Sequence, residues 1–129
     1  MFTGKLYLIP VPIGNLKDIT IRALDMLADV DYILAEDTRI SKVLLSAYEI
    51  DTQLISYHQH NERSRVAQIV EYLDKGKNLG LITDAGMPCI SDPGAIIVAE
   101  LIALDYEVVA LPGANAALTC LAASGLNTD

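Results

Sequence analysis

The chain has 129 residues, 17 acidic against 9 basic side chains, a formal net charge of −8 and a hydrophobic fraction of 52 %. That length suits one domain, which buries about two-thirds of the surface its unfolded chain exposes. The acidic balance excludes a general nucleic-acid coat, because phosphate contacts demand Lys and Arg, and no apolar run reaches the roughly 18–20 residues of a bilayer span.

In chain order, Lys5–Val11 is an apolar run closed by Pro10-Val11-Pro12 and reads as a strand. Asp18 offers an N-cap for a helix that places Ile21, Leu24 and Ala28 on one face. Tyr32–Ala35 reads as a second, buried strand, and after Asp37 and Thr38 a helix carries Ile40, Val43, Leu44 and Ala47 at i, i+3, i+4 and i+7. Gln53–Tyr57 is the third strand. A helix opening near Asn61 repeats the spacing in Val66, Ile69, Val70 and Leu73, with Gly76 placed to end it. Leu79–Thr83 is the fourth strand. Asp92-Pro93 signals a helix start, and the helix over 94–104 is apolar nearly all round, so it must be covered on both sides. Glu107–Leu111 is the fifth strand, and a final helix over Ala114–Ala123 stops at Gly125. Five alternations with short connections predict an α/β fold, a mostly parallel five-stranded sheet with helices on both faces. The domain is expected over 1–125, with 126–129 as the start of a linker.

Cations are confined to the first part of the chain: Lys77 is the last, and none follows from Asn78 to Asp129. An anionic ligand is therefore expected on the first half. The two cysteines, Cys89 and Cys120, have no zinc-type spacing and read as reduced thiols of a cytoplasmic protein. No basic stretch leads Met1–Leu6 into a long apolar segment, so no leader is expected. The hydrophobic excess then points to a surface covered by another domain or subunit.

Polar and turn-forming residues gather at the carboxyl ends of the predicted strands, where open parallel sheets bind ligands. The first such loop, Pro12-Ile13-Gly14-Asn15, has one glycine where a dinucleotide fingerprint needs three. Around residues 84–92 and 112–116 there are no cations for a phosphate, only carbonyls, short side chains and the carboxylates of Asp84 and Asp92. That suits a ligand with a neutral heterocycle and a positive centre, as S-adenosylmethionine has. Plainer roles stand beside these: Asp92 as a helix cap, Asp84 as a turn residue, Glu36 and Asp37 as a solvated pair with Asp37 capping the next helix. His58 and His60 lie on one side of an extended segment, yet no third ligand has suitable spacing, and no metal is expected. Motifs alone define a ligand-binding α/β domain.

The loops taken together resemble one family. They are Pro10-Val11-Pro12-Ile13-Gly14-Asn15-Leu16 with Asp18-Ile19-Thr20, Ala35-Glu36-Asp37-Thr38-Arg39, and Ser56-Tyr57-His58-Gln59-His60-Asn61-Glu62. Thr83-Asp84-Ala85-Gly86-Met87-Pro88, Ile90-Ser91-Asp92-Pro93-Gly94, Leu111-Pro112-Gly113-Ala114-Asn115 and Ala123-Ser124-Gly125-Leu126 complete the set. The chain is similar along its whole length to the ribosomal RNA small-subunit methyltransferase I group of the tetrapyrrole (corrin/porphyrin) methylase superfamily. It departs at Asn115, where the family usually has serine, and at Met87, where threonine is common. The resemblance implies S-adenosylmethionine-dependent 2′-O-methylation of a cytidine in the decoding region of small-subunit ribosomal RNA. It also implies a second α/β domain, a cofactor between the domains, and a homodimer. Carried onto this sequence, it implies cofactor contacts at Pro12, Ile13, Gly14, Asp84, Ala85, Gly86, Met87, Ser91, Ala114 and Asn115. Asp37, Glu36 and His58 are the candidates for the base. Arg39, Lys42, His60, Asn61, Arg63 and Arg65 are the candidates for contact with the RNA. A tetrapyrrole methyltransferase and a non-catalytic module for a nucleoside-like ligand are the competing readings.

Overall fold

The computed structural model describes residues 2–58, 60–90 and 94–129. Strands and helices alternate along it: β1 (Leu6–Leu8), α1 (Ile21–Asp29), β2 (Tyr32–Ala35), α2 (Thr38–Ala47), β3 (Gln53–Ser56), α3 (Glu62–Asp74), β4 (Leu79–Ile82), α4 (Ala95–Ala103), β5 (Val108–Ala110) and α5 (Ala116–Ser124). The strands form one parallel sheet in the order β3-β2-β4-β1-β5.

From β1 through β2 to β3 the chain steps toward one edge of the sheet; from β3 through β4 to β5 it steps toward the other. Crossovers between parallel strands are right-handed, so a reversal of direction moves the connecting helix to the opposite face. The two cores divide accordingly. Ala23 and Leu27 of α1 join Leu44 and Leu45 of α2 over Ile9, Ile33 and Ile82. Ile69 and Leu73 of α3 join Ile97 and Leu101 of α4 over Leu6, Leu8, Leu34, Leu79 and Leu81. Each Leu or Ile side chain among these, once buried, stabilises the fold by about 1.5–3 kcal/mol. Gly80 in β4 admits this packing, since a Cβ there would lie 2.9 Å from Ile9 Cδ1.

The elements agree with the sequence reading in type and order, and depart from it in which helix faces are buried. Thr20, not Asp18, caps α1: its hydroxyl accepts from the Ala23 amide at 2.9 Å. Starting there, the helix turns Ala23, Leu27 and Val30 onto the sheet, so Ile21 and Ala28 are exposed and Leu24 is half-buried. In α2 the row against the sheet is Ser41, Leu44 and Leu45, and Ile40, Val43 and Ala47 are exposed. The α5 helix begins at Ala116, with Asn115 as its cap (Oδ1 accepts from the Leu118 amide at 2.9 Å), and buries no residue. Nor is α4 covered on both sides: Ile97 and Leu101 are buried, whereas Ile102 and Leu104 are exposed. The Asp92-Pro93 helix start lies outside the described residues. Gly76 and Gly125, at φ 81° and 79°, follow or close α3 and α5 in the left-handed conformation that ends helices.

Candidate functional site

β4 lies between β2 and β1, and the helices that follow those two strands pack on the face opposite α4. The chain therefore parts to both sides of the sheet at the carboxyl end of β4, the topological switch point where open α/β sheets bind ligands. Three loops are tied together there. The Val11 amide donates to the Gly86 carbonyl at 3.0 Å, and the Gly86 amide returns to Val11 at 3.1 Å. The Asp37 amide donates to Asp84 Oδ1 at 3.2 Å, and Thr83 Oγ1 donates to Glu36 Oε2 at 3.3 Å. Gly86 stands at φ 77°, a conformation that glycine adopts without the Cβ penalty.

Three cavities border the first loop, one of them, of about 420 Å³, running from Ile13 and Lys17 to Gly113, Ala114 and Thr119. A cleft of about 380 Å³ runs between Ile13, the Ala85–Met87 turn, Ile90 and the residues 114–117 that open α5. Its size falls within the range of about 300–1,000 Å³ typical of small-molecule sites. It gathers six of the expected cofactor positions: Ile13, Ala85, Gly86, Met87, Ala114 and Asn115. Pro12 and Asp84 line the third cavity instead, an apolar one of about 230 Å³ that is walled by Val11, Leu16, Ile40, Val43, Leu44 and Ile82. This explains the exposed row of α2: Ile40 and Val43 face this cavity rather than the sheet. Gly14 sits in the first loop at φ 151° with open space around it, and Ser91 lies outside the described residues. Val11 and Thr83 at the apolar cavity, and Ile90, Ala116 and Ala117 in the cleft, are lining residues outside the expected set. None carries a chemical signature; adjacency to Pro12 and Asp84 was the only available sign for the first two.

The carboxylates of Glu36, Asp37 and Asp84 converge on this edge. Asp37 caps α2 and accepts from the Arg39 amide at 2.9 Å, from Arg39 Nε at 3.3 Å and from its terminal nitrogen at 3.2 Å. The Arg39 guanidinium, bonded to it, holds its carboxyl below the usual carboxylate range. On the next loop, the His60 amide donates to His58 Nδ1 at 3.2 Å, and Asn61 Oδ1 accepts from the His58 amide at 2.9 Å. Asn61 Nδ2 also reaches the Ser56 hydroxyl, so this asparagine shapes the loop. Arg65 folds back onto the end of β3, donating to the Ser56 carbonyl at 3.1 Å and its hydroxyl at 3.3 Å. Lys42 and Arg63 are exposed, on α2 and α3. Among the described residues no cluster of three or more His, Cys, Asp or Glu could hold a metal ion, and no helix is long and apolar enough to cross a membrane.

Beside this edge, Tyr57 is buried and its phenol donates to Glu62 Oε1 at 2.9 Å. Burial first, and then the Glu62 carboxylate, push the phenol well above its usual range. The folded form thus keeps this proton to higher pH than the unfolded chain does. Its contribution to stability is complete below about pH 10 and is lost as the pH climbs from there toward the folded value. Denaturant unfolding followed across that alkaline window should show the decline, and Tyr57→Phe should remove part of it. A Tyr57→Phe profile parallel to the parent's would contradict the assignment.

A five-stranded parallel sheet whose strand-end loops meet around a carboxylate-edged crevice at the switch point defines an open α/β fold of the ligand-binding kind. Residues 5–129 match the family described as tetrapyrrole (corrin/porphyrin) methylases, and the chain belongs to that family. It is 58 % identical over 95 % of its length to a ribosomal RNA small subunit methyltransferase I from Bacillus subtilis. With the protein of the same description from Haemophilus influenzae it shares 51 % over 98 %. The chain spans 42 % and 45 % of those two relatives' lengths. Among solved structures, a uroporphyrin-III-C-methyltransferase from Thermus thermophilus superimposes with a TM-score of 0.71 at 20 % identity, over 98 % of this chain and 54 % of the other. At that identity the likeness speaks for the fold alone.

Proposed function

We propose that this chain is the cofactor-binding α/β domain of an S-adenosylmethionine-dependent methyltransferase that modifies a cytidine ribose 2′-hydroxyl in the decoding region of small-subunit ribosomal RNA. The observation that carries the reading is the cleft between the first, fourth and fifth loops, which gathers six expected cofactor positions and offers backbone and small side chains with no cation. The cleft carries no Lys or Arg to pair with the phosphates of a nucleotide, and a ligand whose centre is a sulfonium needs none. The similarity to ribosomal RNA small subunit methyltransferases I supports the substrate.

S-adenosylmethionine supplies a methyl group on positively charged sulfur. The cleft orients it, and orientation of reacting groups can lower a barrier by roughly 7–11 kcal/mol. Asp84, at the junction of cleft and apolar cavity, holds a polar part of the cofactor. The attacking hydroxyl must also lose its proton. Asp37 is the weakest of the three candidate bases, because its carboxylate is already engaged by Arg39. In His58 the Nδ1 atom is taken by the His60 amide. Glu36, which accepts from the Thr83 hydroxyl, is the third candidate on this half, and the second domain is the other source of the base. Contact with RNA falls to Arg39, Lys42, Arg63, His60 and Asn61; Arg65 supports that loop from beneath.

The reading includes a second domain after residues 1–125 that closes over the carboxyl edge, a homodimer and a cytoplasmic location. The apolar residues left exposed on α4 and α5, among them Ile102, Leu104, Leu118 and Leu121, support cover by further protein. The deciding experiment is transfer from labelled S-adenosylmethionine by the intact protein to unmodified small ribosomal subunits, with the label mapped. Label on a decoding-region ribose is expected. Cofactor binding without labelled RNA would remove the substrate assignment, and no cofactor binding would remove the methyltransferase reading.

A further inference from the structure

Glu62 is 5 % exposed, and a buried carboxylate is costly unless hydrogen bonds offset its lost hydration. It sits in the first turn of α3, where the helix dipole favours an acid. The carboxylate nonetheless leaves its own helix. Glu62 Oε1 accepts from the Tyr57 phenol at 2.9 Å and from the Gly94 amide at 2.8 Å, thirty-two residues away at the start of α4. Gly94 is itself buried at φ 119°, and a Cβ there would lie 2.7 Å from Cys89 Sγ and 2.8 Å from Leu81 Cδ2. This end of the β4–α4 loop is therefore held by one acceptor and tight walls.

The other end of the loop is held too, by the paired Val11–Gly86 bonds. Between the two anchors stand Met87 and Ile90, which line the cleft, and Cys89 at φ 74°. A non-glycine residue in the left-handed region persists only where its surroundings hold it. A well-packed apolar side chain at position 62 would fill the same space with less desolvation. It would leave the Gly94 amide without its acceptor.

We propose that Glu62 is a positioning residue, a clamp on Gly94 that, through the close packing of Gly94 on Cys89, holds residues 86–90 in their cofactor-binding shape from the side of the β3–α3 loop. It thereby joins the loop of the proposed RNA contacts His60 and Asn61 to the loop of the cofactor cleft. The role in cofactor binding rests on the reading of that cleft given above; the hold on the loop does not.

The test compares Glu62→Ala and Glu62→Gln in the intact protein by calorimetry with S-adenosylmethionine and by amide hydrogen exchange without it. Glu62→Ala is expected to weaken cofactor binding about tenfold or more and to speed exchange across 86–90, with β2 and β4 unchanged. In turnover, KM for the cofactor should rise more than kcat falls. Glu62→Gln keeps an oxygen acceptor for both donors and should restore both readouts to near the parent's. Unchanged loop exchange in Glu62→Ala, or exchange that rises equally across the sheet, overturns the clamp. So does Glu62→Gln behaving like Glu62→Ala. If the parent protein does not bind S-adenosylmethionine, the cofactor reading falls, and the exchange pattern alone upholds or overturns the clamp.

Discussion

Asp84→Ala in the intact protein should lower methyl transfer by about ten- to a hundredfold, and Asp84→Asn should recover only part of it. The side chain stands where β4 ends, at the switch point, bordering the apolar cavity and next in sequence to Ala85 of the cleft. It has a structural duty as well: Oδ1 accepts from the Asp37 amide at 3.2 Å. Alanine removes both the acceptor and the charge. A hydrogen bond to a charged group contributes about 1.5–3 kcal/mol, so losing the one to the cofactor accounts for about one to two orders of magnitude. Asparagine keeps an oxygen for Asp37 and loses only the charge. Its residual defect, read as cofactor affinity and kcat/KM, isolates what the carboxylate does for a cationic ligand. An Asp84→Asn variant as active as the parent would confine Asp84 to holding Asp37 in place.

What could be read from the sequence follows how local the cause is. Strand β2 was read with the observed bounds, Tyr32–Ala35, because a short apolar run between turn residues has one reading. Asn61, Gly76 and Gly125 punctuate α3 and α5 through local backbone chemistry, which the sequence shows directly. It does not show the buried faces of α1 and α2, because helical spacing describes an apolar stripe without saying what it meets. In α2 the stripe divides, Leu44 packing on the sheet while Ile40 and Val43 wall a cavity. The cleft residues were legible as loops at strand ends. The sharing of labour among them was not, since it depends on contacts between loops far apart in sequence. Asp37 lies beside Arg39, and the sequence allows it to be a base or a cap; the structure shows the cap and the guanidinium on its carboxylate. Arg65 is a candidate for contact with RNA in the sequence, and only the structure shows its guanidinium lying on Ser56 at the end of β3.

The same dependence on distant contacts makes Gly113→Ala the second large effect expected. Gly113 follows β5 and precedes Ala114 and Asn115 of the cleft, and a Cβ on it would lie 2.4 Å from Pro10 Cβ and 2.8 Å from Pro10 Cγ. Carbon atoms pack comfortably at about 3.5–4.0 Å, so one loop must yield by about an ångström. Pro10 is a poor candidate to move: its ring fixes φ, it is buried, and it lies between Ile9 of the core and Val11 of the Gly86 bridge. The fifth loop is then the part that swings out, pivoting at the last ladder bond, from the Leu111 amide to the Leu8 carbonyl at 3.0 Å. That opens the cleft between Ile13 and Ala114. Overpacking of this kind costs about 1–3 kcal/mol of stability, and cofactor affinity should fall about tenfold or more as the two walls separate. Gly125→Ala is the matched control. It is strained by φ 79° but meets nothing within 4 Å, so it should cost about 1 kcal/mol of stability and leave the cofactor untouched. Equal cofactor affinity in the two variants would mean that the approach of the first and fifth loops does not shape the site.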